Sequence, residues 1–434
     1  MKAWIGNQAV SRRTVFGRIL AFFLSLILLV GTPMVAWADV PESFRIPPWP
    51  GHEAGASPVV QTSDQSALRL LVDTDLGVDD AAALIWLLSQ HRYPLELLGV
   101  VTVAGNTTVE NATNNVLLLL SLLERNDIPV VMGAHKPSNV LLSSTGKLIH
   151  GPDGLWFLGA QNPQEVDAVD RKAARFYCDM ARTEPGAVVL ALGPLTNLAQ
   201  ALRRCPADMA NLGRLVVLGG AKFGGNTTPV SEYNFWQDPA AAAEVLQSGL
   251  PITLVPMDAF GQFSLSMADV ASLQQDGVPA IQFLAPALQA YLGVQLQSGS
   301  AAVVPDPVAA MVALDPSLAT LHSALVKVLD RPEVARGQSL IALSFAERIT
   351  LIADDRELSQ IADQVFSDPG FDYLAAVGAI LQREPDNALV AMDVDAAALY
   401  QMFMDDLSQS VSASGAAEHE PSPIQLFLPS VQSR

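Results

Sequence analysis

The chain has 434 residues, half of them hydrophobic, enough to bury a sizeable core in one large domain or two ordinary ones. Lys and Arg total 25 against 44 Asp and Glu, a formal net charge of -19. That balance argues against a nucleic-acid or anionic-membrane surface as partner and suits cation binding.

Residues 1–38 read as an export signal. Arg12, Arg13 and Arg18 precede an apolar core from Ile19 to Val30, and Ala36-Trp37-Ala38 offers an A-x-A cleavage site. Ser11 to Phe16 also resembles a twin-arginine signal, with Val15 where Phe is usual, so twin-arginine and general export both stay open. The expectation is a periplasmic or extracellular protein. The apolar stretch is short and ends in small residues, which speaks against a stable membrane anchor. Residues 39–66, rich in Pro, Gly, Ser and Gln, read as a flexible linker, and 409–434 as a disordered tail.

Between these ends, apolar strand-like runs alternate with helical patterns. Leu68 to Asp73 reads as a buried strand, Val78 to Gln90 as a helix and Leu95 to Val103 as a second strand, together one βαβ unit. A helical pattern from Val109 to Arg125 leads to a third strand at Ile128 to Met132. Further strands are expected at Val188 to Leu192, Leu215 to Leu218 and Ile252 to Val255. Helices are expected near Arg171 to Arg182, Leu195 to Arg203 and Pro239 to Leu246. The alternation predicts an α/β fold in one domain, residues 67–408, with a mainly parallel sheet flanked by helices. Ligands of such sheets bind at the carboxyl ends of the strands, where this chain places its polar clusters.

The first cluster is Asp73-Thr74-Asp75-Leu76-Gly77-Val78-Asp79-Asp80, four carboxylates in one strand-to-helix turn. Like charges so close need a cation, or hydrogen bonds from a helix start, to stay ionised. Hard oxygen ligands without Cys or a spaced His pair point to Ca²⁺ or Mg²⁺ rather than zinc. A helix-capping cluster without metal is the competing reading. Cys178 and Cys205 are the only cysteines, either one bridge or two buried thiols.

With Val103-Ala104-Gly105-Asn106, His150-Gly151-Pro152-Asp153-Gly154-Leu155, Leu192 to Asn197, Gly219-Gly220, Asn226, Glu232-Tyr233-Asn234, Asp238-Pro239 and Asp306-Pro307, the octet resembles the inosine-uridine preferring nucleoside hydrolase family. The resemblance runs from about Leu68 to Leu407 and implies a Rossmann-like fold. It implies a Ca²⁺ held by Asp75, Asp80, the Leu192 carbonyl and Asp306, with Asp75 also acting as general base toward a calcium-bound water. Asp79, Asn226, Glu232 and Asn234 would hold the sugar hydroxyls, with Asn106 in the same shell. Hydrolysis of a ribonucleoside to ribose and free base is the implied reaction, passing through an oxocarbenium-like sugar. Taken singly, Asn226 would read as a turn and Glu232 and Asn234 as a solvated loop.

Two departures from the pattern matter. Many members carry a His before the last metal-binding Asp, where it can protonate the departing base; here Pro305 stands there. His150 is the alternative acid, weighed against a structural loop histidine. Residues 345–387 add helical sequence, a surface elaboration, lid or interface. Pro305 also keeps open an exported nucleoside- or ribose-binding protein without turnover, and a hydrolase of another N-ribosyl compound is a nearer rival. Family members are commonly dimers or tetramers, so a homo-oligomer is expected from the resemblance alone.

Overall fold

Side chains along the strands alternate between two apolar layers, and that alternation builds the molecule. Leu70 and Val72 of the first strand, β1 (Leu68–Thr74), face one layer while Leu71 faces the other. Val188 and Leu190 against Val189 and Ala191 repeat the division, as do Val216 and Leu218 against Leu215 and Val217. A period of two with both faces apolar is what a sheet covered by helices on each side requires. The computed structural model describes residues 67–159, 172–330, 334–368 and 370–408. The expected signal, linker and tail lie outside the described residues, among which no helix is long and apolar enough to cross a membrane.

β1 is followed by β2 (Leu95–Thr102), β3 (Val130–Met132), β4 (Val188–Ala191), β5 (Arg214–Leu218), β6 (Ile252–Val255), β7 (Ala319–Val328), β8 (Ser339–Ala342) and β9 (Ala388–Val394). The order across the sheet is β3-β2-β1-β4-β5-β6-β9-β7-β8. β1 to β6 and β9 run parallel; β7 is antiparallel to β9, and β8 to β7. The strand order reverses at β1, because the chain first builds outward through β2 and β3 and then returns to lay β4 on the other side. Ligands of such sheets bind at a switch point of this kind, and the Asp75 to Asp80 turn follows the carboxyl end of β1 there.

The predicted helices lie at Val78–Ser89, Val109–Leu122, Ala173–Thr183, Thr196–Arg204 and Pro239–Leu246, and the mainly parallel sheet is as expected. The helix after Val109 stops at Leu122, short of the expected Arg125. Pro279–Gln297 and Pro305–Leu314, nearly uniform in apolar character, are helices whose sequences carried no amphipathic period to announce them. Residues 345–387, expected to add helical sequence, form helices Phe345–Ile352, Asp355–Ser367 and Tyr373–Leu381, and a small core of their own joins Ile349, Val377 and Leu381.

Cys178 and Cys205 are bridged, with Cα atoms 6.0 Å apart, tying helix Ala173–Thr183 to the end of helix Thr196–Arg204. Closing a loop across a sequence separation of 27 removes denatured-state entropy worth about 3.5 kcal/mol. Cys178→Ser is therefore expected to lower the urea midpoint with an unchanged nucleoside KM. A midpoint equal to wild type under non-reducing conditions would show that the bridge contributes nothing.

Candidate functional site

Four carboxylates converge beyond the carboxyl end of β1, three from the turn that follows it and one from a distant helix. Helix Val78–Ser89 packs against helix Pro305–Leu314, which brings the start of one beside the start of the other. Pro305 occupies the first position of its helix, where a fixed φ and a missing N–H cost nothing, and Asp306 follows it into the site. Carboxylate oxygens of Asp79, Asp80 and Asp306 all lie within 4.8 Å of one another, each side chain buried. Asp75 is fully buried beside them, its charge felt by Asp306.

Hydrogen bonds fix the first two acids. Asn106 donates its backbone N–H to Asp75 Oδ2 at 2.6 Å, and its Nδ2 reaches Asp75 Oδ1 at 3.3 Å and Asp80 Oδ2 at 3.0 Å. Asp80 also accepts from Thr74 Oγ1 at 2.5 Å and from the Gly77 N–H at 2.9 Å, so it caps its helix while facing the cluster. The capping reading holds for Asp80, and capping does not remove its carboxylate from the cluster. Gly105 lets the loop close over Asp75, since a Cβ there would sit 2.0 Å from Asp75 Oδ2.

The other two acids are left wanting. Asp79 Oδ2 accepts from Tyr291 OH at 2.9 Å, but Asp79 Oδ1 and Asp306 Oδ1 are buried without a hydrogen-bond partner. Buried carboxylate oxygens are costly when unsatisfied. Two such atoms in a cluster of hard oxygen donors fit a divalent cation of the calcium or magnesium type, and Asp79, expected among the sugar contacts, belongs to this trio.

Around the acids, Asn234 Nδ2 donates to the Leu192 carbonyl at 2.6 Å and to the Leu218 carbonyl at 3.1 Å, bridging the ends of β4 and β5. Glu232 caps the short helix Tyr233–Gln237 and takes the Gly220 N–H at 2.9 Å. Both residues are buried and ordered by these bonds, so the solvated-loop alternative does not hold for them. Asn226 is exposed on its loop, its Oδ1 accepting from Thr227 Oγ1 at 3.2 Å, outside the buried cluster. His150 ends helix Gly146–His150; its Nδ1 accepts the Val78 N–H at 3.2 Å and stands 3.6 Å from Asp79 Oδ1. Burial lowers its pKa, against the opposing charge of Asp79, so the ring is neutral and its proton sits on Nε2.

The residue pattern gave only part of a deeper layer. Asp73 accepts from Tyr177 OH at 2.6 Å and Asn197 Nδ2 at 3.0 Å, and Asn197 also holds the Thr102 carbonyl and the Ala134 N–H. These bonds lock the ends of β1 and β2 and the turn after β3 behind the site. Asp73 and Asn197 stood inside recognised motifs, but Tyr177 and Tyr291 lie on the buried faces of their helices, where core packing is the ordinary fate of an aromatic.

The electrostatics follow from burial. It pushes Asp73 and Glu232 up to about 7 and Asp80 to about 6, Asp80 with help from the charge of Asp79. Asp75 and Asp306 also rise well above the usual carboxylate range, through burial first and neighbouring acids second. Folded pKa values above unfolded ones mean that the folded protein binds more protons, so this stability is present below about pH 4 and lost as pH rises through about 6 to 7. Chelator-treated protein should lose on the order of 5 °C in Tm between pH 5 and pH 7.5. Added calcium should flatten that slope; a Tm that rises with pH in chelator would contradict the burial argument.

The family model described as inosine-uridine preferring nucleoside hydrolase matches residues 70–401. The chain belongs to this family. It is a nucleoside hydrolase, acting on N-glycosyl bonds. It is 34% identical over 267 residues to probable uridine nucleosidase 1 of Oryza sativa subsp. japonica, covering 60% of this chain and 81% of that protein. To the pyrimidine-specific ribonucleoside hydrolase RihA of Klebsiella pneumoniae it is 34% identical over 232 residues, covering 52% of this chain and 72% of that one. A solved plant nucleoside hydrolase superposes with a TM-score of 0.66 at 26% identity, covering 80% of this hydrolase and all of the plant chain.

Proposed function

We propose that this nucleoside hydrolase is an exported, calcium-dependent enzyme that splits ribonucleosides, uridine foremost, into ribose and free base. The observation that carries the reading is the meeting of Asp79 and Asp80 with Asp306, two of the three with a buried oxygen lacking a partner. Asp79, Asp80 and Asp306 would hold the cation, with Asp75 and the Leu192 carbonyl at its edge. A carbonyl oxygen has two lone pairs, so the bond from Asn234 leaves Leu192 one to offer. When bound, calcium supplies positive charge that orients water and sugar oxygens and eases loss of a proton.

The rest is done by the chain's own groups. Asp75, its oxygens aimed by Asn106 and its pKa raised, takes the proton of the attacking water. The crowded carboxylates favour the positive charge that develops on the sugar ring as the bond to the base breaks. Glu232 and Asn234, held at the ends of β4 and β5, present fixed polar atoms to the sugar hydroxyls, and Asn226 reaches the sugar from its exposed loop. Uridine as first substrate is supported by the relatives named as uridine nucleosidase and pyrimidine-specific hydrolase. Export is supported by the signal pattern of residues 1–38 and by the Cys178–Cys205 bridge, which suits an oxidising compartment.

Base release from a panel of purine, pyrimidine and other N-ribosyl compounds, with calcium and with chelator, tests the reading. Turnover of uridine in calcium and its loss in chelator are expected. Turnover undiminished by chelator would remove the cation from the proposal, and turnover confined to a non-nucleoside riboside would change the substrate.

His150 is spent on the start of helix Val78–Ser89 and kept neutral, which suits a positioning residue better than an acid. His150→Ala should lose about tenfold in kcat/KM equally on uridine and on p-nitrophenyl riboside, whose leaving group needs no proton. A loss confined to uridine would restore the acid role.

A further inference from the structure

The loop that follows β5 carries Asn226 and leads to Glu232 and Asn234, and the segment of chain that braces it lies far along the sequence. Ser231 Oγ donates to the Arg336 carbonyl at 2.7 Å. Ser339 Oγ accepts the Ala221 N–H at 2.8 Å and donates back to the Ala221 carbonyl at 2.7 Å, pinning that residue from both sides. Lys222 Nζ donates to the Ile341 carbonyl at 2.7 Å and to Glu347 Oε1 at 2.8 Å, with the lysine side chain only 12% exposed. Glu347 belongs to the first turn of helix Phe345–Ile352, where it also takes the Leu343 and Ser344 N–H groups. Partial burial would raise this carboxyl; the bonds from Lys222 and those two N–H groups overrule it and hold it at about 2.

The near end of the loop is also held from a second segment of the chain, helix Met257–Phe260. Asp258 accepts the N–H groups of Lys222 and Phe223, and beyond Phe223 the loop projects exposed residues as far as Asn226. The Arg336 guanidinium lies 3.9 Å over the Trp236 ring, so the same segment also covers the short helix that Glu232 caps. The added helices keep their own apolar core, and their first turn reaches the main domain through Glu347.

We propose that residues 336–352 position the sugar-binding loop, with Lys222 and Glu347 as the positioning pair that sets nucleoside affinity rather than turnover. The added helices would then be an anchor for the site, not an idle surface elaboration. The inference rests on the reading that this loop holds the sugar, and the test separates the two.

Steady-state kinetics with uridine in saturating calcium would compare Lys222→Met, Glu347→Gln, the double variant, Lys222→Arg and Asn226→Ala, with folding followed by far-UV circular dichroism. Lys222→Met and Glu347→Gln are each expected to raise KM about fivefold with kcat within about twofold. The double variant should be no worse than Lys222→Met alone, and Lys222→Arg should recover part of the loss. Arg203→Met, which breaks the Arg203–Glu244 pair elsewhere on the molecule, should leave both constants unchanged. Should Lys222→Met fail to fold, Glu347→Gln, which keeps an acceptor for its helix cap, carries the test. KM within about twofold of wild type in Glu347→Gln, while Asn226→Ala raises it, would overturn the brace. An active enzyme indifferent to Asn226→Ala would remove the sugar-loop reading and the brace with it.

Discussion

Asp306→Asn is expected to lower kcat/KM by at least about a thousandfold and to abolish stabilisation by calcium. Asp306 is the one cluster member that comes from outside the Asp73 to Asp80 turn, and its Oδ1 is buried without a partner. An amide there removes a full negative charge from a site built of them. It also ends the repulsion from Asp79, Asp80 and Asp75 that drives the Asp306 pKa upward after burial has done most of the work. The two effects have opposite signs on stability. Without calcium, the variant should melt above the wild type at pH 7.5, because a buried, mutually repelling carboxylate has gone. With calcium at a hundred times its dissociation constant, the wild type should gain about 3 kcal/mol and the variant nothing. Differential scanning calorimetry with and without chelator reads both. A variant that still gains from calcium would show that Asp306 is no ligand.

Asp75→Asn separates the base from the ligands. The substitution keeps the shape of the side chain and can keep one hydrogen bond from Asn106, but it cannot take a proton. The expected result is a kcat lowered by about 10³- to 10⁴-fold, with calcium stabilisation largely retained. Asp75 is assigned this part because it lies outside the close trio, because both its oxygens are aimed by Asn106, and because burial with the charge of Asp80 raises its pKa. A poised base needs each of these. If Asp75→Asn loses the calcium effect as completely as Asp306→Asn, Asp75 serves as a ligand first and the base must be sought elsewhere.

Much of the fold was legible in the residues because the sheet is buried on both faces. Short apolar, β-branched runs such as Val188 to Leu192, bounded by turn residues, read as interior strands, and the helices between them declared themselves by period. Helices Pro279–Gln297 and Pro305–Leu314 did not, because an element buried on most sides loses the polar face that makes a helical period visible. The site divides in a similar way. Local chemistry announced the Asp73 to Asp80 turn and Asn106, and offered a cation or a helix start as the means of keeping those carboxylates ionised.

Only the tertiary structure decided which oxygens meet. It drew Asp79 into the trio with Asp80 and Asp306, spent His150 on a helix start and left Asn226 at the surface. It also tied Lys222 to Glu347. The reason is one of range: burial, periodicity and turn chemistry act between neighbours in sequence, so a sequence carries them openly. Distances between carboxylates, and the hydrogen bonds that aim them, depend on how helices Val78–Ser89 and Pro305–Leu314 pack, and packing is set by the whole core at once.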